Sequence, residues 1–192
     1  MAYNIKEFYR VARSRDFARQ FQFRLTQLGD VPLPSDYLIY VEAATLPGKQ
    51  INNIQVPFMG LQFNIPGTES FPNSSGYSVT FRCDQDYNIR RLLEDYMEFT
   101  FSHKNSTGNY NTPSAGSIIE LELTGKTMAG GPGGGEPIEI RKYRMYGAYV
   151  VSIGDVNYSA GDNGAIVTFP AVLAYQFWEA EQINSEPTLP NF

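Results

Sequence analysis

An apolar segment over residues 45–67, TLPGKQINNIQVPFMGLQFNIPG, most constrains the fold of this chain. Its apolar and polar side chains alternate on both sides of Met59 and Gly60, which predicts a long β-hairpin with its turn at that pair. Three prolines exclude the hairpin from the middle of a sheet. Because an isolated hairpin is marginal in water, we expect its apolar side chains to be covered, either by the body of the chain or by a neighbouring copy. The candidate inter-subunit contacts are Leu46, Pro47, Ile51, Ile54, Val56, Phe58, Met59, Leu61 and Phe63.

Composition favours strands in the rest of the chain. The 192 residues suit one domain, which buries about 70% of its unfolded surface without disulfide or metal staples. Aromatic residues make up 14% of the chain and charged residues only 18%, which is typical of sheets rather than of long solvated helices. We therefore predict a mainly β fold over a single domain, residues 1–192: an antiparallel sandwich or barrel with one packed α-helix and the protruding hairpin.

Alternating side chains mark the strands. Residues 21–28 predict a half-buried strand with Phe21, Phe23 and Leu25 on its inner face. Residues 37–45 predict a second strand, paired with the first as an antiparallel hairpin. The later segment AIVTFPAVLAYQFWE predicts a strand with apolar side chains on both faces, which indicates a sheet whose outer face is also buried.

A helix and two loops complete the prediction. Residues 84–99 repeat apolar side chains at helical spacing, behind Asp84 or Asp86 as the N-cap. Residues 101–116 and 125–137 are polar and rich in glycine and proline, so we interpret both as loops. The last residues, 180–192, are predicted as a C-terminal tail.

Charge is unevenly distributed. The net charge is −5, but residues 1–24 hold six Lys or Arg against two acids, a net +4. Residues 1–20 therefore predict a basic N-terminal arm containing a short amphipathic helix. The arm could bind DNA or dock on acidic surfaces of neighbouring subunits, and the second reading is favoured because it also holds Glu7 and Asp16. Its arginines are Arg10, Arg13, Arg15 and Arg19.

The sequence contains no run of about 18 apolar residues and no apolar core of a secretory signal near its first residue. We therefore expect no membrane insertion by this chain. We also expect it to stay inside the cell that makes it, or in a particle assembled there.

The glycine-rich run TGKTMAGGPGGGEP poses a question about nucleotide binding. A phosphate-binding P-loop needs glycine five residues before its Gly-Lys-Thr, but that position holds Glu120, whose carboxylate would repel a phosphate. The run is also not followed by a helix-forming segment. We interpret it as a flexible loop, at the outer surface rather than fixed by a neighbour.

Other candidates for catalysis or metal binding are weak. His103 is the only histidine and lies in a polar loop, without companions for a metal site. Asp84 and Asp86 could be paired catalytic carboxylates, but their position before a helix favours capping. Asp155 opens a segment like a calcium loop, yet the required glycine and closing acid are missing. We predict no catalytic, metal or cofactor-binding residue, and no enzymatic activity.

Five segments in order carry a family resemblance: ATLPG, IQVPFMGLQFNIPG, YSVTFRCDQDYNIRRLLEDYM, YGAYVVSIGDVNYS and VTFPAVLAYQFWE. In order and spacing they resemble the tail tube proteins of contractile-tailed, myovirus-type bacteriophages, over roughly residues 8–180. The resemblance implies six-membered rings of β subunits, stacked into a hollow inner tube through which phage DNA is ejected when the sheath contracts. It also implies that residues 46–67 reach the adjacent ring.

The resemblance further implies partners and a location. The partners would be the tail sheath, baseplate and tail terminator proteins, with genomic DNA passing through the lumen without sequence-specific binding. The protein would be part of the virion, assembled in the host cytoplasm. Two alternatives stay open: a baseplate protein of the same fold that initiates the tube, and, in a different class, a monomeric β-barrel that binds a small ligand.

Overall fold

Two antiparallel sheets enclose one hydrophobic core in the computed structural model, which describes residues 4–14, 18–29, 31–32, 35–108, 118–125, 138–159, 161 and 164–182. Along these residues the elements are α1 (Ile5–Ser14), β1 (Phe23–Gly29), β2 (Val31–Pro32), a 3₁₀ helix (Ser35–Tyr40), β3 (Val41–Ala44), β4 (Gln50–Phe58), β5 (Leu61–Ser70), β6 (Tyr77–Arg82), α2 (Asn88–Thr100), β7 (Phe101–Ser102), β8 (Thr107–Gly108), β9 (Ile118–Gly125), β10 (Ile138–Tyr146), β11 (Tyr149–Ile153), β12 (Thr168–Ala174) and β13 (Phe177–Gln182). The predicted mainly β fold is confirmed.

Strand order defines the layers. In the described residues, one sheet has the order β13-β10-β9-β1-β2 and the other has the order β11-β12-β6-β3. Strands β4 and β5 pair only with each other, as do the short strands β7 and β8. The chain crosses between the two large sheets after β10, where Gly147 takes a left-handed φ of 66° that a side chain would disfavour.

Along β6 and β12, buried side chains alternate with more exposed ones, and the buried ones form the centre of the core. Tyr77, Val79 and Phe81 are fully buried on one face of β6. They pair across the sheet with inward-facing residues of β12, and the Phe81 and Phe169 rings stack with centroids 5.7 Å apart. The opposite sheet contributes buried residues from β1, β9 and β10: Leu25, Leu28, Ile119, Leu121 and Met145.

The helix α2 packs against this core through Ile89 and Leu93, both fully buried. The N-cap residue is Tyr87 rather than Asp84 or Asp86, but the Asp84 carboxylate, three residues earlier, supplies the capping interaction: it accepts hydrogen bonds from the backbone N–H groups of Asn88, at 3.1 Å, and Ile89, at 3.4 Å. The helix begins four residues later than the sequence pattern indicated, because the chain first makes a turn in which Tyr87 has a left-handed φ of 56°.

The predicted pairing of the first two strands is wrong. Residues 35–40 form a 3₁₀ helix, and the short strand β3 pairs with β6 in the other sheet rather than with β1. The physical reason is that β9 pairs with one edge of β1 along its length, while β2 pairs with the other edge at Gln27 and Leu28. The chain after β2 therefore crosses to the opposite layer.

Two further details of the strands differ from the prediction. Phe21 precedes β1 and is 72% exposed, so it does not lie on the inner face of that strand. Within β1, a bulge between Leu25 and Gln27 moves the inward position after Leu25 to Leu28. The segment predicted as one final strand is two, β12 and β13, which lie in different sheets. Phe177 thus begins a new strand and is 44% exposed.

The predicted loops lie partly in the described residues. Within residues 101–116, β7 and β8 form a small hairpin and residues 109–116 lie outside the described part of the chain. Residues 126–137 also lie outside it. In the predicted tail, β13 continues to Gln182, and residues 183–192 lie outside the described part.

Candidate functional site

The hairpin β4–β5 has one apolar face. Its register places Ile54 opposite Ile65, Val56 opposite Phe63 and Phe58 opposite Leu61, and directly paired residues of an antiparallel ladder share a face. We call this set the hairpin apolar face: Ile54, Val56, Phe58, Leu61, Phe63 and Ile65. Every member is between 39% and 63% exposed, so the body of the described chain does not cover the face.

The opposite face of the hairpin is polar but uncharged. It carries Asn53, Gln55, Gln62 and Asn64, with Pro57 and Pro66 between them. From residue 50 to residue 68 the sequence holds no Asp, Glu, Lys or Arg. Protein interfaces are depleted of charge at their centres, whereas a solvated protrusion usually carries charges that prevent edge-to-edge association. The hairpin therefore has the composition of a contact surface.

The turn of the hairpin exposes another apolar side chain. Met59 and Gly60 both take a positive φ, 49° and 79°, which is the conformation that a two-residue hairpin turn requires. A residue with a Cβ is disfavoured there, yet methionine occupies the first position and is 87% exposed. The tip of the hairpin thus presents an apolar group to its surroundings.

The base of the hairpin is fixed to the body through Trp178 of β13. The indole Nε1–H donates a hydrogen bond to the Gly48 carbonyl oxygen at 2.9 Å, and the Lys49 ammonium lies 5.9 Å from the centre of the indole ring. Lys49 also pairs with Glu69 across the two strands. Gly67 permits close approach at a bulge, since a Cβ there would lie 2.7 Å from the Asn52 carbonyl oxygen.

The structure brings most of the candidate contact residues together. Leu46 and Ile51 are exposed at the base of the hairpin, while Pro47 is buried within its own chain and is therefore not available for contact. The candidates beyond them lie on the hairpin apolar face or at its tip. The sequence-based set omitted Ile65, which pairs with Ile54; its alternation with Phe63 is the signal that identifies it.

The five-stranded sheet carries a network of charges on its outer face. The Lys142 ammonium lies 2.9 Å from Glu120 Oε1 and 2.9 Å from Glu122 Oε1, and Arg144 Nε donates to Glu120 Oε2 at 3.0 Å. Thr26 Oγ1 donates to Glu120 Oε1 at 3.0 Å. Each carboxylate of Glu120 and Glu122 thus has basic partners across the strands.

These contacts shift the pKa values of the network. Burial by itself raises the pKa of Glu120, but hydrogen bonds from Lys142, Arg144 and Thr26 outweigh it and lower that pKa below its usual value. Burial by itself lowers the pKa of Lys142. The hydrogen bonds to Glu120 and Glu122 outweigh burial and raise that pKa above its usual value. Glu120, Lys142 and Arg144 therefore keep their charges at neutral pH, which suits a structural role.

Residues considered for chemistry are dispersed. Asp86 is exposed beside the capped helix, His103 is exposed in the turn between β7 and β8, and Asp155 is exposed after β11. Among the described residues, no group of three or more His, Cys, Asp or Glu could hold a metal ion. Lys126 and the rest of the glycine-rich run through residue 137 lie outside the described residues.

The N-terminal arm is described in part. Helix α1 is present as predicted, and on it Arg10 forms an ion pair with Glu7. Arg19 is exposed, whereas Arg15, Asp16 and the side chain of Arg13 lie outside the described residues. Among the described helices, none combines the length and the apolar character needed to cross a bilayer.

Comparison with known proteins relates this fold and surface to one family. The family model for phage tail tube protein matches residues 12–181. The tail tube protein gp19 of Enterobacteria phage T4 is 26% identical over 175 residues, covering 88% of this chain and 96% of that protein. The corresponding protein of Enterobacteria phage T6 is 25% identical over the same length.

Solved structures share the fold. A chain of the anti-feeding prophage tube-terminating cap superposes with a TM-score of 0.59 at 14% identity, covering 88% of this chain and 93% of that one. A chain of the sheath–tube complex of the PVC extracellular contractile injection system, in its extended state, gives 0.55 at 15% identity, covering 91% and 97%. At these identities the likeness concerns architecture.

Proposed function

This chain belongs to the phage tail tube protein family, and from that premise we propose that it forms six-membered rings that stack into a hollow tube through the hairpin apolar face. As a member of the family it is a structural subunit of a phage tail tube and a component of the virion.

The exposure of the hairpin apolar face is the observation that supports stacking through this surface. Fully burying a large apolar side chain contributes roughly 1.5–3 kcal/mol, so covering six that are already half-buried contributes roughly 5–9 kcal/mol. Association of two proteins costs on the order of 4–15 kcal/mol in lost freedom of motion. One hairpin therefore barely offsets the cost of joining two subunits. Between two preformed rings, six hairpins contribute together, whereas the lost freedom of motion is counted once for the pair of rings. The six contacts therefore more than offset that cost.

The tube is proposed to serve as a passage for the phage genome. A channel for DNA must not hold the phosphate backbone, and a chain with net charge −5 is suited to a wall that does not attract it. No sequence-specific contact and no catalysis are needed for this role. The enclosing partners would be a sheath, a baseplate and a terminator, in keeping with the tube-terminating cap and the sheath–tube complex among the structural relatives.

The basic arm is proposed to contact protein rather than DNA. Arg10 is already neutralised by Glu7 on the same helix, which weakens its attraction for phosphate. Helix α1 also exposes Ile5, an apolar group that suits a protein surface better than a nucleic acid backbone. We therefore favour docking of the arm on an acidic surface of a neighbouring subunit or of the sheath.

Negative-stain electron microscopy of the purified protein tests the proposal. A tube subunit should give long, uniform, hollow rods whose end-on views have six-fold symmetry. A baseplate initiator of the same fold would give single rings or short stacks, and a ligand-binding monomer would give no particles larger than the single chain. Either of these results, in protein shown to be folded by circular dichroism, would contradict the proposal.

A further inference from the structure

Two tyrosine side chains are buried side by side in the core. Tyr77 begins β6 and is fully buried, and Tyr175 directly follows β12 and is 2% exposed. Tyr77 pairs with Leu173, so Tyr175 lies two residues beyond the partner of Tyr77 along the neighbouring strand. The two rings meet edge to face, with centroids 6.1 Å apart. Both rings therefore occupy one region of the core.

The hydroxyl groups of these two tyrosines are buried without a hydrogen-bond partner in the part of the chain that the structure describes. Burial raises the pKa of both phenols, so each keeps its proton at neutral pH and can both donate and accept a hydrogen bond. Buried polar groups in folded proteins are almost always hydrogen-bonded, because an unpaired one costs free energy. Two unpaired hydroxyls in one region of the core therefore need a partner.

The backbone holds both rings in place. Tyr77 is anchored by the ladder between β6 and β12. The N–H of Tyr175 donates to the Ser74 carbonyl oxygen at 2.7 Å, and the N–H of Gln176 donates to the Tyr146 carbonyl oxygen at 2.8 Å. A hydroxyl hydrogen rotates freely about its C–O bond, but the oxygen stays where the packed ring places it. A partner must therefore come to the hydroxyls, because the hydroxyls cannot move to a partner.

We propose that Tyr77 and Tyr175 bind one ordered water molecule between their hydroxyl groups. Water is small enough to sit inside a packed core, and it both donates and accepts hydrogen bonds. Buried waters typically make about two to four hydrogen bonds to groups that lack other partners, and the two hydroxyls supply the lower number. An apolar guest would leave both hydroxyls unpaired.

The water links β6 to the corner at which the chain changes sheets. Strand β12 belongs to the four-stranded sheet and β13 to the five-stranded sheet, and Tyr175 lies between them. A hydrogen bond from Tyr175 through the water to Tyr77 fixes this corner to the start of β6. The bound water therefore has a structural role, in holding the two layers in register.

Tyr77→Phe and Tyr175→Phe test the bridge by removing one hydroxyl each. If the site is dry, deleting an unpaired hydroxyl should leave the folding equilibrium constant unchanged or raise it. With the water bound, each deletion breaks a hydrogen bond and should lower that constant roughly 2- to 12-fold in denaturant titrations. Tyr96→Phe sets the scale, because the Tyr96 hydroxyl donates directly to the Ala148 carbonyl oxygen at 2.9 Å. An unchanged or raised constant in either variant would overturn the proposal.

The double variant distinguishes one shared water from two separate ones. If both hydroxyls bind the same molecule, the second deletion should lower the folding equilibrium constant less than the first, because the bridge is already broken. If each hydroxyl has its own water, the two fold-changes should multiply. Multiplying effects would therefore contradict a shared water.

A density map of the unaltered protein, at a resolution that shows ordered waters, gives a direct answer that does not depend on whether a variant folds. We expect one isolated peak about 2.8 Å from each of the two hydroxyl oxygens. The peak should be present in the single subunit and in the assembled protein alike, since both rings are buried within one chain. A map that shows other internal waters but no peak between Tyr77 and Tyr175 would overturn the proposal.

Discussion

The indole of Trp178 donates a hydrogen bond to the carbonyl oxygen of Gly48 at 2.9 Å, and so joins the last described strand to the base of the hairpin, 130 residues earlier in the chain. The Trp178 ring also packs against Tyr143, with centroids 5.5 Å apart. Among the described residues, the strands of the hairpin pair only with each other. The direction in which the hairpin projects is therefore set at its base.

Trp178→Phe should loosen the hairpin without unfolding the sandwich. The substitution keeps an aromatic ring beside Tyr143 but removes the N–H that Gly48 accepts, a loss of about 0.5–1.5 kcal/mol. We expect hydrogen exchange in β4 and β5 to accelerate while exchange in β6 stays close to that of the parent. Equal acceleration in both regions would mean that Trp178 stabilises the whole domain rather than the hairpin.

Phe58→Asp should prevent assembly. Phe58 lies on the hairpin apolar face at 62% exposure, so a carboxylate there costs the folded subunit little, but burying it against a second copy would strand a charge. Sedimentation should show no tubes, with β-rich circular dichroism unchanged. The matched control is Gln55→Asp, on the polar face of the same strand, which should still assemble. Normal tubes from Phe58→Asp would remove the hairpin apolar face as a contact.

Acid should destabilise the subunit through Glu120. The folded-state pKa of this carboxyl is lowered, so its stabilising contribution is present above the unfolded pKa, about 4.3, and is lost as pH falls through the folded pKa. Glu120→Gln should lose roughly 1–3 kcal/mol of unfolding free energy at pH 7, because Lys142 and Arg144 lose a charged partner.

Denaturant titrations from pH 7 down to pH 3 measure this effect. The difference in unfolding free energy between parent and Glu120→Gln should shrink as the pH falls below about 4. Glu181→Gln is a suitable control, since this glutamate also pairs with Arg144 but is 57% exposed. A difference between Glu120→Gln and the parent that stays constant with pH would show that the charge of Glu120 does not stabilise the fold.

Shortening the glycine-rich loop should leave assembly nearly unchanged. Gly125 and Ile138 pair directly at the ends of β9 and β10, so a two-residue turn in place of residues 129–135 is compatible with the ladder. Loop-closure entropy changes by only about 0.6 kcal/mol for each doubling of loop length. Electron microscopy should show normal tubes. Loss of tubes with the subunit still folded would identify the loop as an assembly contact.

Local features of this fold could be predicted from the sequence, and long-range pairings could not. The hairpin turn at Met59 and the cap formed by Asp84 depend on a few neighbouring residues, and both are present. The partner of β3 depends on which strand edges are already occupied, and its pairing with β6 was missed for that reason. The sheet change at Gly147 and the break before Phe177 likewise follow from the closure of the sandwich rather than from local alternation.

The same distinction applies to the candidate contact surface. Alternation along the hairpin was enough to identify the apolar side chains from Ile54 to Phe63, because a strand has a side-chain period of two, and the same alternation points to Ile65, which the set omitted. It could not show that Pro47 is buried within the chain, since that burial comes from the arrangement of the hairpin base.

A cryo-electron microscopy reconstruction of the assembled protein, at a resolution that shows side chains, would show where each hairpin lies. We expect a hollow tube of stacked six-membered rings in which Phe58 and the rest of the hairpin apolar face are buried against another copy. A tube in which that face points into solvent, or in which each hairpin folds back on its own subunit, would contradict it.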